Sequence, residues 1–86
     1  MNSTFTQRAW DEYMSWQKED KKTLKKINEL IKDIQRNGTE SKIGKGEILK
    51  GYKAYSKRID NKNRLVYNFD ENGNIVIISC KGHYNE

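Results

Sequence analysis

The pattern of apolar residues predicts an α+β domain over residues 1–86, with a short N-terminal strand and a helical hairpin packed on one face of an antiparallel β-meander. Three features carry this expectation. Apolar residues recur at spacings of three and four as far as Ile34, Asn37-Gly38 then interrupts them, and from Tyr55 onward the period is that of strands. No repeat and no linker-like segment divides the chain.

Asn2 to Phe5 is short and reads as an opening strand. Ala9, Trp10, Tyr13 and Met14, with Trp16 nearby, share one face of a first helix. Asp20 reads as the N-cap of a longer second helix, whose buried stripe is Leu24, Ile27, Leu30, Ile31 and Ile34. Asn37-Gly38 stops that helix, because both residues accept the left-handed backbone of a helix end. Its outer face carries Lys21, Lys22, Lys25, Lys26 and Lys32, with Glu29 and Asp33 interspersed. Such a face is an ordinary solvated surface, a phosphate-contacting one, or a positive field that raises the encounter rate with an RNA-rich target. Thr39 to Gly51 reads as a loop rich in Gly, Lys and Ser, in which Lys42, Lys45 and Lys50 surround Glu47. Tyr55 to Ile59, Arg64 to Phe69 and Ile75 to Cys80 then read as three consecutive strands. Asn72-Gly73 marks a tight turn between the last two. Leu65, Tyr67 and Phe69 alternate with Arg64, Val66 and Asn68, which leaves the Arg64 side the more polar one. The last strand is apolar on both faces, as a central or doubly covered strand is.

With 86 residues, 34% hydrophobic and 34% charged, the chain supports one layer of packing beneath a heavily solvated surface. A net charge of +5 favours an anionic partner, nucleic acid first. The lone cysteine, Cys80, excludes an internal disulfide and closes an apolar run, so a buried inert thiol is expected. One histidine and one cysteine leave no structural zinc set, and no run approaches the ~20 apolar residues of a membrane span. The expectation is a cytoplasmic protein that uses neither cofactor nor metal.

Arg58 to Tyr67 places a polar turn, Asp60-Asn61-Lys62-Asn63, between two apolar runs with an arginine at each end. On such a hairpin Ile59, Leu65 and Tyr67 point inward and the arginines outward, forming a phosphate clamp on a rigid support. Beyond the last strand stand His83 and Tyr84, and ahead of the meander lies Glu47. A carboxylate, an imidazole, two guanidiniums and a phenol suit phosphodiester cleavage without a metal. A base takes a proton from the attacking hydroxyl, cations stabilise charge on phosphorus, and an acid protonates the leaving oxygen. With no carboxylate cluster to hold a metal and activate water, the substrate's own 2′-hydroxyl is the natural nucleophile, which specifies RNA. Each group also has an ordinary explanation. A C-terminal His-Tyr can be a frayed end, Glu47 a solvated ion pair, and the arginines cross-strand surface charges.

The chain resembles the YoeB/Txe toxins of the RelE-like superfamily. The resemblance lies in Trp10-Asp11-Glu12-Tyr13 with Trp16, and in Lys25 to Asp33. It continues through Glu47 with Leu49-Lys50, Ser56-Lys57-Arg58-Ile59, Arg64-Leu65-Val66-Tyr67 and His83-Tyr84. It implies a microbial-ribonuclease-like sheet and ribosome-dependent cleavage of mRNA in the A site. It further implies Glu47 as general base, Arg64 as the cation on the phosphate, His83 as general acid and Tyr84 as a substrate-positioning phenol. Lys50 and Arg58 fall at supporting cations, with Lys45 beside them. A cognate antitoxin of the YefM/Axe kind and a homodimer are implied as partners, with DNA reached only through an antitoxin complex. Gly46 and Ile48 replace the prolines common around the glutamate, which predicts a looser loop. Lys57 and Asn63 replace an arginine and a histidine, which predicts a thinner cationic and titratable set. The runner-up is a basic RNA- or ribosome-binding module that blocks translation without cutting.

Overall fold

The computed structural model describes residues 2–38, 46–49 and 54–82, the second of these by its backbone. The elements are β1 (Ser3–Phe5), α1 (Gln7–Glu19), α2 (Lys21–Asn37), β2 (Gly46–Leu49), β3 (Ala54–Arg58), β4 (Arg64–Phe69) and β5 (Ile75–Ser79). They form one five-stranded sheet in the order β1-β5-β4-β3-β2, with both helices on one face.

The expected meander of β3, β4 and β5 is present and is extended at both edges. On one side β1 pairs parallel with β5, Ser3 opposite Ile75, which makes the sheet mixed. That places β5 between two strands, as its run of apolar residues requires. On the other side Gly46–Leu49 is a strand rather than part of a loop, paired antiparallel with β3. Proline cannot donate to a ladder. With Gly46 and Ile48 in place of prolines, both positions keep an N–H for this pairing.

Single residues joint the helices. The Thr6 side chain caps α1 by accepting from Ala9 N at 3.1 Å, while Thr6 N and Oγ1 donate to the carbonyls of Ile77 and Ile78 on β5. Asp20 N donates to Trp16 O and so closes α1, and its carboxylate accepts from Lys22 N and Thr23 N to open α2. These bonds, that from Thr23 Oγ1 first, hold the Asp20 carboxyl below its usual range. Gly38, at φ 58°, ends α2.

The core lies between the helices and the sheet. Ile27, Leu30, Ile31 and Ile34 of α2 meet Ile59, Leu65, Tyr67, Ile75 and Ile77, with Ala9 and Trp16 from α1. Each fully buried aliphatic side chain there contributes about 1.5–3 kcal/mol of transfer free energy. Trp10 and Met14 depart from the expectation. They are 46% and 41% exposed, because α1 turns Ala9 and Trp16 to the core and leaves their neighbours on the rim. Trp10 stacks instead on Tyr13, with Phe5 edge-on.

Lys57 is also not where a surface cation would be. It alternates with Ser56 and Arg58 and faces the helices, 1% exposed, with Nζ 4.0 Å from Asp33 Oδ2. Burial pulls its pKa down and Asp33 partly opposes that shift. Lys57 is therefore a buried ion-pair partner and adds nothing to the arginine face. Among the described residues no helix is long and apolar enough to cross a membrane.

Candidate active site

The face of the sheet turned away from the helices carries the arginines. In the β3–β4 ladder Arg58 stands directly opposite Arg64. Like charges in that relation repel. An anion between them reverses the sign of the interaction. Arg58 is exposed and Arg64 half-buried. Arg64 Nε donates to the hydroxyl of buried Ser56, and its Nη2 lies 3.5 Å from the Ser56 carbonyl oxygen. Ser56 thereby lays the guanidinium flat across β3, which removes much of the rotamer freedom an exposed arginine keeps. Beside it Ala54, Val66 and Ile78 form a small apolar floor.

Register brings Glu47 into the same region. Glu47 pairs with Ser56, and Ser56 in turn pairs with Val66. Position 47 thus falls on the row of the residue that holds Arg64.

The turn between β3 and β4 is built by Asp60. Its Oδ1 accepts from Lys62 N and Asn63 N, both at 2.8 Å, and from Asn63 Nδ2 at 3.0 Å. The Asn63 Oδ1 is then left to accept from Gly82 N at 2.7 Å, while Arg64 N donates to Gly82 O at 3.1 Å. The chain entering His83 is consequently bonded to the backbone of Arg64. Gly82 makes this contact at φ 85°, where a side chain would be strained.

Upstream of Gly82 the tail is fastened to α1. Cys80 N donates to Glu12 Oε1 at 2.8 Å, and Trp16 Nε1 donates to Cys80 O at 3.0 Å. Lys81 Nζ donates to Glu19 Oε2 and Ser15 Oγ, and it sits 5.0 Å from the Trp16 ring centroid. The Cys80 thiol is fully buried; burial, and secondarily the Glu12 carboxylate, pushes its pKa up to about 12. It is an inert thiol, as expected.

Of the seven site residues named from sequence, Arg58 and Arg64 stand side by side as foreseen, and Glu47 lies on a strand. Lys45, Lys50, His83 and Tyr84 lie outside the described residues. Four contributors went unnoticed as such: Ser56, Asn63, Glu12 and Trp16. Ser56 carries a signal, since it precedes Arg58 by two in a strand and must share its face. Asn63 reads only as a turn former, and Trp16 only as core.

Comparison with known proteins gives one answer. Residues 5–84 match the family model described as the YoeB-like toxin of bacterial type II toxin–antitoxin systems. The chain is 42% identical over 86 residues to the toxin YoeB of Escherichia coli K12, a match covering 98% of this chain and 100% of that one. In solved structures it is similar to the YoeB dimer from Staphylococcus aureus, with a TM-score of 0.89 and 49% identity covering 98% of both chains. It is similar also to the heterotetrameric YoeB–YefM toxin–antitoxin complex from Staphylococcus aureus, with a TM-score of 0.87 and 50% identity over 98% of both chains. The arginine pair, the strand bearing Glu47 and the anchored tail therefore sit in a known setting: the chain belongs to the YoeB-like toxins of bacterial type II toxin–antitoxin systems.

Proposed function

We propose that this toxin is a ribosome-dependent endoribonuclease that cleaves mRNA in the A site. Glu47 takes the proton from the 2′-hydroxyl, Arg64 stabilises the charge on the phosphate and His83 protonates the leaving 5′-oxygen. Tyr84 positions the substrate, and Lys45, Lys50 and Arg58 support binding of the backbone. The chain's own base, cation and acid carry each step of this reaction, so the reading calls on no metal. The 2′-oxygen attacks phosphorus and the bond to the 5′-oxygen breaks, leaving a 2′,3′-cyclic phosphate and a free 5′-hydroxyl. Family kinship supports a cognate antitoxin of the YefM kind as the partner that silences it, and a homodimer as its assembled form.

The observation that carries the reading is the Arg58–Arg64 pair, two arginines opposite each other in the β3–β4 ladder with the guanidinium of Arg64 held by Ser56. Like charges opposite each other repel, and a phosphate bound between them offsets that repulsion. Primer extension on a message being translated tests it. New 5′ ends are expected with the parent chain, and Glu47→Ala and His83→Ala each lower their yield by about 10²–10⁴. Arrest of translation with no new ends overturns the nuclease reading in favour of a module that only blocks.

A further inference from the structure

The two arginines of the open face differ in how they are held. Arg58 is exposed, and Arg64 is half-buried. The Arg64 side chain reaches along the diagonal of the β3–β4 ladder to Ser56, the residue opposite Val66. Diagonal neighbours in a sheet lie within reach of long side chains. There Nε donates to the Ser56 hydroxyl, and Nη2 lies 3.5 Å from the Ser56 carbonyl oxygen. One fully buried residue thus meets two adjoining nitrogens of the same planar group. A lysine, with a point charge on a flexible stem, could not be held by that edge. Fixing the guanidinium costs side-chain entropy when the protein folds, and that entropy need not be lost again when a substrate binds.

We infer that Ser56 is a positioning residue for Arg64. It sets the guanidinium in place before the substrate arrives, and so makes Arg64, rather than the arginine opposite, the preorganised cation of the pair. The inference rests on the nuclease reading for its kinetic consequence, because such a cation must meet the charge that develops on the phosphate in the transition state. Arg58, being exposed, adjusts to the substrate as it binds. A bond that only satisfied the buried Ser56 hydroxyl would bear on stability and not on turnover.

The side-chain Nε–H resonance of Arg64 tests the hold in the free protein, and its loss in Arg64→Gln identifies it among the four arginines. In the parent that proton is expected to resonate apart from those of exposed arginines and to exchange slowly with water. In Ser56→Ala it joins them. In ribosome-dependent cleavage Ser56→Ala lowers kcat by about 10–10²-fold, up to the scale of a misplaced catalytic group, and leaves KM unchanged. In an Arg64→Gln background the same substitution lowers kcat no further, because it acts through the arginine alone. A Ser56→Ala variant with the parent's kcat, an equal loss in the Arg64→Gln background, or an Arg64 resonance that Ser56→Ala leaves in place overturns the positioning role. A parent that yields no new 5′ ends while the resonance still moves overturns the nuclease reading instead and leaves the hold standing. Thermal melts of the same variants separate unfolding from repositioning.

Discussion

Two turns of this molecule are built alike and put to different ends. Between β3 and β4, Asp60 gathers the turn amides, Asn63 Oδ1 accepts from Gly82 N, and Arg64 N donates to Gly82 O. Between β4 and β5, Asp70 Oδ1 accepts from Asn72 N and Asn74 N, Asn74 Oδ1 accepts from Asn2 N at 3.1 Å, and Ile75 N donates to Asn2 O at 2.8 Å. In each, an aspartate shapes the turn, an asparagine takes an amide from one end of the chain, and the next residue returns a bond to the same peptide. The N-terminal turn partner registers β1 on β5. The C-terminal one brings the tail to an arginine. The residue after the asparagine decides which purpose is served: Ile75 is buried in the core, whereas Arg64 looks onto the open face.

Exchanging those two residues separates the purposes most sharply. Arg64→Gln is expected to lower ribosome-dependent cleavage by about 10²–10³, with little change in melting temperature, as loss of one electrostatic donor does. Ile75→Ala is expected to cost about 2–5 kcal/mol of stability, measured by urea unfolding, and to leave the cleavage rate of the folded fraction intact. If Ile75→Ala silences folded protein, the two turns are not divided in this way. A smaller effect is expected from Asn74→Ala. It removes one hydrogen bond to the N-terminal strand, costs about 1 kcal/mol in the same unfolding measurement and leaves cleavage unchanged. The smallest concerns acid. Backbone bonds from Asn74 and Asn72 hold the Asp70 carboxyl below its ordinary value of 3.8. A depressed folded value means that the carboxylate's stabilisation is present above pH 3.8 and is lost as pH falls through the lower folded value. Asp70→Asn should therefore flatten the decline in melting temperature below about pH 4 and leave the curve at neutral pH parallel to the parent's.

Local chemistry made much of this fold readable. Asp20, Asn37-Gly38 and the apolar stripe of α2 act within a turn or two of themselves, and all three do in the structure what their residue types suggest. The inward set of the β3–β4 hairpin follows from alternation alone. What alternation does not carry is partnership at a distance. Gly46–Leu49 is four residues with little β-branching, and it is a strand because β3 lies beside it. Lys57 looks like a third surface cation until its parity with Arg58 is combined with the position of Asp33 on α2. Asn63 shows its turn role in sequence, but its second bond runs to a residue 19 positions away. The arginine pair was legible because both members flank one short turn. The parts of the site that depend on α1, Glu12 and Trp16, were not, because they act through a backbone 68 and 64 residues removed.

The parallel pairing of Ser3–Phe5 with Ile75–Ile77 has a consequence for how the molecule is made. Synthesis delivers β1 first, and its partner follows 72 residues later. Until then β1 has no ladder, Thr6 has no carbonyls on β5 to bind, and Asn63 has no Gly82 to hold. Contacts this distant in sequence are slow to close and come late. A growing chain thus carries its helices and arginines well before it carries a finished sheet, and the contact between Gly82 and the β3–β4 turn is among the last to form.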